Sequence, residues 1–207
     1  MKTPNKNDSE NCSKCTEYKD EIDKLEKRLT EIQKIASRDS LTGLLNRDGF
    51  IERAKRIFIF AGQAQTEKER RETLVERKEL SVLFIDLDNL KPLNDTHGHG
   101  TGDAVLIEVG KALKAQIRQV DLASRLGGDE FMVLLYDADK DIGEKVVTKI
   151  HKKLEEPVTI NGVEIKVEVS CGVASTSEGF NNVEDIMKLA DERMYEVKKA
   201  KKGDAVR

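Results

Sequence analysis

"SRLGGDEFMVLL", residues 124–135, sets two glycines and two acids at the bend between two apolar stretches. A buried strand disfavours adjacent like charges, and glycine inside a strand weakens it. Breaks in the local folding rules of this kind fall at functional sites. Gly127 and Gly128 form a tight turn that lets another group approach the main chain closely, with Asp129 and Glu130 beside it. The run "EFMVLLY", Glu130 to Tyr136, is then a strand.

Upstream, "LSVLFIDLDNL" (80–90) is a short apolar run rich in β-formers, which predicts a buried strand. Asp86 and Asp88 are two apart in it, so a regular strand turns both to one face. Acids leaving an apolar strand on one side need solvent or a cation. Pairing this strand with 130–136 clusters Asp86 with Asp129 and Glu130. Few ligands, all oxygen, suit Mg²⁺ that keeps water and completes its shell with phosphates, as in two-metal phosphoryl or nucleotidyl transfer. A solvated hairpin tip accounts for the spacing equally well.

The other elements follow from periodicity. Helices are expected from Asp48 to Ala61, Glu67 to Lys78, Gly102 to Ile117, Ile142 to Glu155 and Val183 to Lys199. The segment 157–175 reads as a hairpin with Asn161-Gly162 in a type I′ turn. Strands alternating with helices, plus a hairpin, argue a single α+β or α/β domain.

At the front, residues 1–14 are polar and are read as disordered. From 15 to 37 a narrow stripe appears: Cys15, Tyr18, Ile22, Leu25, Leu29, Ile32 and Ala36, spaced alternately three and four apart. This is the a/d pattern of a short coiled coil. In a parallel pair Lys14 faces Lys19 and Glu21 faces Glu26, so such a dimer is weak by itself. Cys12 and Cys15 form a CxxC, and two copies in a dimer could offer four thiolates to one Zn²⁺. Ordinary surface cysteines account for them equally. His97 and His99 lack a further ligand pair at zinc spacing.

The chain has 207 residues, 36% charged and 38% apolar, with a formal net charge of -3. That balance argues against wholesale binding to nucleic acid or membrane. No apolar run is long enough to span a bilayer, and the start has no signal-peptide core. Three cysteines without an export signal suggest reduced thiols and a cytoplasmic setting.

"RLGGDEF" (125–131) closely resembles the signature of the GGDEF family, the diguanylate cyclases. "DSLTGLLNR" (39–47), "FIDLDNLKPLNDTHGHGTGDAVL" (84–106) and "ADERMYEVKKAKK" (190–202) resemble three further family segments, in the family's order. The match assigns 38–207 to a cyclase domain. It implies a central five-stranded, mainly antiparallel sheet flanked by helices, related to the palm of polymerases and adenylyl cyclases. It implies that two GTP molecules, one on each domain of a homodimer, condense into cyclic di-GMP and two pyrophosphates. The resemblance makes Asp86 and Asp129, with the Leu87 carbonyl, the ligands of two Mg²⁺ (or Mn²⁺) ions per active site. Glu130 would assist either the metal or deprotonation of the 3′-hydroxyl, while Gly127 and Gly128 let the main chain lie against the phosphates.

By the same resemblance Asn94 and Asp103 read guanine, and the acid at 103 favours GTP, since adenine offers no such donor edge. Asp103 also suits a helix N-cap. Lys91 and Lys198 match phosphate-contacting lysines. Lys202 stands where the family has Arg in a Gly-Arg-Asn run; here the run is Lys201-Lys202-Gly203, and Lys lacks the bidentate fork of Arg. Arg118 and Asp121, in "RQVD", match the family's RxxD site, where product binds as an inhibitor. Two alternatives stand beside the active cyclase: an enzyme with relaxed base choice making other cyclic dinucleotides, and a non-catalytic cyclic di-GMP receptor.

Overall fold

The computed structural model describes residues 16–22, 24–25, 28, 36–62, 77–180 and 182–204. Two compact units divide it, 1–37 and 38–207. In the first, 16–22, 24–25 and 28 are helical, and Tyr18, Ile22 and Leu25 are exposed. Cys12, Cys15, Leu29, Ile32 and the helix expected over 67–78 lie outside the described residues, apart from Arg77 and Lys78, which are not helical.

The second unit runs α1 (Arg47–Phe60), β1 (Leu80–Leu87), α2 (Leu90–His97), α3 (His99–Gln116), β2 (Leu122–Gly127), β3 (Glu130–Tyr136), α4 (Lys140–Leu154), β4 (Val158–Ile160), β5 (Val163–Ile165), β6 (Val169–Ser175) and α5 (Val183–Asp204). Four strands form an antiparallel sheet in the order β2-β3-β1-β6. β1 is central and buried along its whole length. Period-two alternation divides its side chains. Leu83, Ile85 and Leu87 pack with Val105, Val109 and Leu113 of α3 and Val146 and Ile150 of α4. Val82 and Phe84 pack on the other face with Phe50, Ala54 and Phe58 of α1 and Ile186, Ala190 and Met194 of α5. Both faces are covered, so β1 reads as an unbroken apolar run until Asp86.

Two expectations are corrected. The main sheet has four strands among the described residues, not five. Beyond β2 its edge is met only by Leu45, whose N–H bonds the Ala123 carbonyl at 3.1 Å and whose carbonyl accepts from Arg125 N–H at 2.9 Å. The hairpin is confined to Val158–Ile165, a separate two-stranded sheet. Its turn does have both central residues left-handed, Asn161 at φ 51° and Gly162 at φ 82°, as type I′ requires. β6 pairs with β1 instead. In addition, α2 occupies a stretch to which the sequence reading assigned no element, with Pro92 in its first turn. A proline in the first turn of a helix removes an N–H that has no intrahelical partner anyway.

Among the described residues no helix is long and apolar enough to cross a membrane.

α5 lies directly on the backbone of β6. A Cβ added at Gly172 would stand 2.1 Å from the Ala190 carbonyl oxygen and 2.2 Å from the Met194 nitrogen. Main chain cannot step aside as a flexible side chain can. Gly172→Ala is therefore expected to cost about 3 kcal/mol, at the upper end of overpacking, read as a lowered urea midpoint at unchanged m.

Candidate active site

The ends of β1 and β3 carry the acids. Asp86 lies opposite Glu130 in the strand register, and Leu87 N–H donates to the Asp129 carbonyl at 3.0 Å. Asp86 is only 6% exposed. Its carboxylate accepts a hydrogen bond from Lys198 Nζ, reaching over from α5. Burial, and then the charges of Asp129 and Asp88, push the Asp86 pKa up against the opposing pull of Lys198. Burial and the charges of Asp86, Asp129 and Asp191 raise Glu130 likewise, with Arg47 offsetting part. Burial opposes the Lys198 charge, but the Asp86 hydrogen bond and the surrounding acids outweigh it and raise its pKa. The electrostatics are those of a site short of positive charge.

Between β2 and β3 the chain turns through Gly127 at φ 149° and Gly128 at φ 54°, conformations that side chains with a Cβ rarely adopt. Nothing lies within 4 Å of where a Cβ would stand on either. The turn therefore presents bare main chain to open space. Arg125 fixes it: Nη2 and Nε donate to the Gly128 carbonyl at 2.7 and 3.0 Å, while Nη1 pairs with Asp39 at 3.3 Å. Asp39 in turn accepts from the Thr42 N–H and hydroxyl at 2.8 and 2.6 Å. The segment 39–47 thus braces the glycine turn.

A cleft of about 460 Å³ opens beside the acids, lined by Asp129, Lys198, Leu87 and Asp88, with Lys91, Lys201 and Lys202 on its walls. Among the described residues no three His, Cys, Asp or Glu side chains converge as a ready-made metal cage. Asp86 and Asp129 nevertheless fit a hard cation that takes its remaining ligands from water and a bound anion. The ammonium already standing on Asp86 shows that the place accepts positive charge.

Asn94 is on α2, and its Oδ1 is buried with no hydrogen-bond partner among the described residues. Such an atom costs free energy unless something meets it. Gly102 backs it so closely that an added Cβ would lie 1.9 Å from Oδ1. Asp103 follows, exposed at the start of α3, and makes no side-chain cap there. Arg118 and Asp121 are placed apart from the acids, at the foot of β2. The Asp121 side chain is 1% exposed, against 56% for Arg118. Asp121 accepts from Arg118 N, Nε and Nη2 at 2.8, 3.1 and 3.0 Å, and from Tyr136 N at 3.0 Å. A basic cleft of about 410 Å³ adjoins the pair, with Arg38, Arg53 and Lys114 among its lining.

Sequence reading had assigned no part to Arg125, nor to the group at Asp88. The Asp88 carboxylate accepts from Ser170 Oγ at 2.9 and 3.0 Å and from Lys201 Nζ at 2.7 Å. The three-residue step from Lys198 to Lys201, matched to the two-residue step from Asp86 to Asp88, was the available signal.

The match to the family model "Diguanylate cyclase, GGDEF domain" spans residues 36–204. The chain belongs to the GGDEF family. Over 125 residues it is 41% identical to diguanylate cyclase A of Treponema denticola, covering 59% of this chain and 34% of that protein. It is 33% identical over 170 residues to the diguanylate cyclase TpbB of Pseudomonas aeruginosa, covering 81% of this chain and 36% of that one. The chain thus spans about a third of the length of these relatives. The isolated GGDEF domain of TpbB superposes with a TM-score of 0.68 at 32% identity, over 79% of this chain and 89% of that one. In fold, the coiled coil and GGDEF domain of DgcB from Caulobacter crescentus, solved with c-di-GMP, is also similar, with a TM-score of 0.71 at 22% identity over 91% of this chain and 94% of that one.

His151 of this GGDEF domain borders the same corner. Its Nε2 is buried without a partner among the described residues. Burial, and then the Lys201 charge, lower its pKa below the ordinary 6.5. The folded state therefore binds fewer protons than the unfolded chain. The stability this group contributes is complete above about pH 6.5 and falls as pH drops toward the depressed folded value. His151→Gln is expected to flatten that part of the curve, read as the wild-type minus variant difference in urea unfolding between pH 5 and 7.5.

Proposed function

We propose that this domain is an active diguanylate cyclase that joins two GTP molecules into cyclic di-GMP. The observation that carries the reading is the mutually repelling set of buried Asp86 with half-buried Asp129 and Glu130 beside a bare glycine turn and a lysine-walled cleft. Acids need cations, bare main chain suits phosphate oxygens, and lysines suit a polyanion.

Asp86, Asp129 and the Leu87 carbonyl would hold two Mg²⁺ or Mn²⁺ ions. When bound, the metal supplies charge neutralisation at the phosphates and acidifies the attacking hydroxyl. Lys198, Lys91 and Lys202 take up phosphate charge, and Glu130 assists the metal or removes the 3′ proton. Each 3′-oxygen bonds to the α-phosphorus of the other GTP, and the bond to the pyrophosphate oxygen breaks. The hydroxyl proton leaves to the base, and the electron pair leaves with pyrophosphate. Asn94, with its unmet acceptor, and Asp103 read the donor edge of guanine. Adenine lacks that edge and leaves both residues unpaired, so ATP is rejected.

One domain carries half of the reacting pair, so the working form is a homodimer. The exposed stripe Tyr18, Ile22 and Leu25 supports pairing through the N-terminal helix. Product feedback would act at the basic cleft beside Arg118 and Asp121.

The test is purified protein with Mg²⁺ and GTP, with and without ATP, products being identified by mass spectrometry. Cyclic di-GMP is expected from GTP, no mixed product is expected with ATP, and Asp129→Ala should lower turnover at least about 100-fold. Absence of product at every metal and protein concentration would overturn the reading. Arg118→Ala should relieve product inhibition. It should also cost about 1–3 kcal/mol of stability, because the Asp121 carboxylate stays buried after losing its partner; urea denaturation reads the two effects apart.

A further inference from the structure

The C-terminal helix is fastened to the sheet by two rungs at the edge of the cleft. Lys198 and Lys201, three apart on α5, lie on one helical face. Asp86 and Asp88, two apart at the end of β1, lie on the sheet face that receives it. The inner rung is Lys198 on Asp86. The outer rung is Lys201 on Asp88 at 2.7 Å, and Lys201 Nζ also donates to the Val169 carbonyl of β6 at 2.8 Å.

The rungs are built differently. In the outer one Asp88 is also hydrogen-bonded by Ser170 Oγ through both carboxylate oxygens, and its side chain is only 10% exposed. Its bonding is closed. In the inner one Asp86 has a single cationic partner and faces Asp129 and Glu130. A dication taking Asp86 would expel the ammonium, since two cations cannot share that oxygen without strong repulsion. On the reading of Asp86 as a cation-binding carboxylate, the inner rung therefore opens whenever substrate loads. The last turn of α5 then has only the outer rung to keep it on the sheet, and that turn carries Lys202 while Lys198 lies one turn back.

We propose that Lys201 is a positioning residue that holds the end of α5 on β1 and β6 after the inner rung opens, so that Lys198 and Lys202 remain at the cleft. The run Lys201-Lys202-Gly203, which departs from the family's Gly-Arg-Asn, thereby supplies an anchor that glycine could not. Lys201 acts through Asp88 and the Val169 carbonyl and need not touch the nucleotide.

The test is hydrogen exchange of the backbone amides of 195–204 in wild type, Lys201→Met and Lys201→Arg. Each is measured alone and with Mg²⁺ plus a GTP analogue whose α,β-bridge is methylene, which cannot lose pyrophosphate. Without ligand, Lys201→Met should exchange close to wild type, because the inner rung still holds. With Mg²⁺ and the analogue, wild type should stay protected, Lys201→Met should exchange about tenfold faster, and Lys201→Arg should restore most of the protection. Equal exchange of Lys201→Met and wild type in the loaded state would overturn the proposal. Full loss of protection already without ligand would also overturn it, because Lys201 would then be a general staple of the fold. A raised KM for GTP with unchanged exchange would make Lys201 a phosphate contact instead, and would equally reject it. If the analogue fails to bind wild type at all, the cyclase reading falls and this one falls with it. If it binds and exchange does not respond, only this one falls.

Discussion

Everything at the working end of this domain depends on keeping negative charges together where an apolar sheet ends. Asp86 faces Glu130 across the central strand pair, Asp129 adjoins them, and burial of Asp86 removes water that would screen its charge. Such a cluster is costly to fold. The chain offsets the cost locally with a lysine from α5, a helix already seated on the β1–β6 face by Ile186, Ala190 and Met194. Gly172 is part of the same solution. Without side chain at that point the helix comes down onto the strand backbone, and a four-carbon lysine stem then reaches Asp86.

A second consequence concerns rigidity. The glycine turn needs left-handed backbone and bare main chain, both of which favour disorder in an isolated loop. The turn is held by Arg125, whose fork grips the Gly128 carbonyl and is itself gripped by Asp39. A planar, bidentate donor suits this task in a way that lysine would not. The segment 39–47 is thus part of the site's support, though it lies more than eighty residues upstream of the turn.

Much of this was legible in the sequence. The unbroken apolar run of β1, its terminal acids, the paired glycines and the helical periodicity of α1, α3, α4 and α5 each follow from local rules, and all agree. Other parts were not legible because they depend on partners distant in the chain. Whether β6 pairs with β5 or with β1 is decided by burial of both its faces, not by the turn at Asn161-Gly162. α2 was given no element in the sequence reading; its Pro92 sits in the first turn, where a proline is tolerated. The Asp88, Ser170 and Lys201 group joins three segments; the steps Asp86–Asp88 and Lys198–Lys201 match, but no local rule brings α5 to the end of β1 or points to Ser170. Nor did the sequence show that the Asp121 carboxylate is buried and bonded to Arg118 and to the Tyr136 backbone.

That last arrangement bears on how anion binding at the basic cleft would act on stability. Asp121 ties the loop before β2 to the end of β3, so the same pair that borders the basic cleft also closes the hairpin carrying Asp129 and Glu130. Arg118 is half free: its backbone and guanidinium hold Asp121, yet most of the side chain faces solvent beside Arg38, Arg53 and Lys114. An anion settling among those cations would compete with Asp121 for Arg118, or would bind the guanidinium edge that Asp121 leaves open. In the first case the ligand would loosen the β2–β3 hairpin; in the second it would stiffen it. Affinity and hairpin order are linked either way, because a ligand shifts an equilibrium only by its differential affinity for the two states. The buried carboxylate makes the stiffening route the less costly one, since stripping Arg118 from Asp121 would leave a charge stranded in the sheet edge.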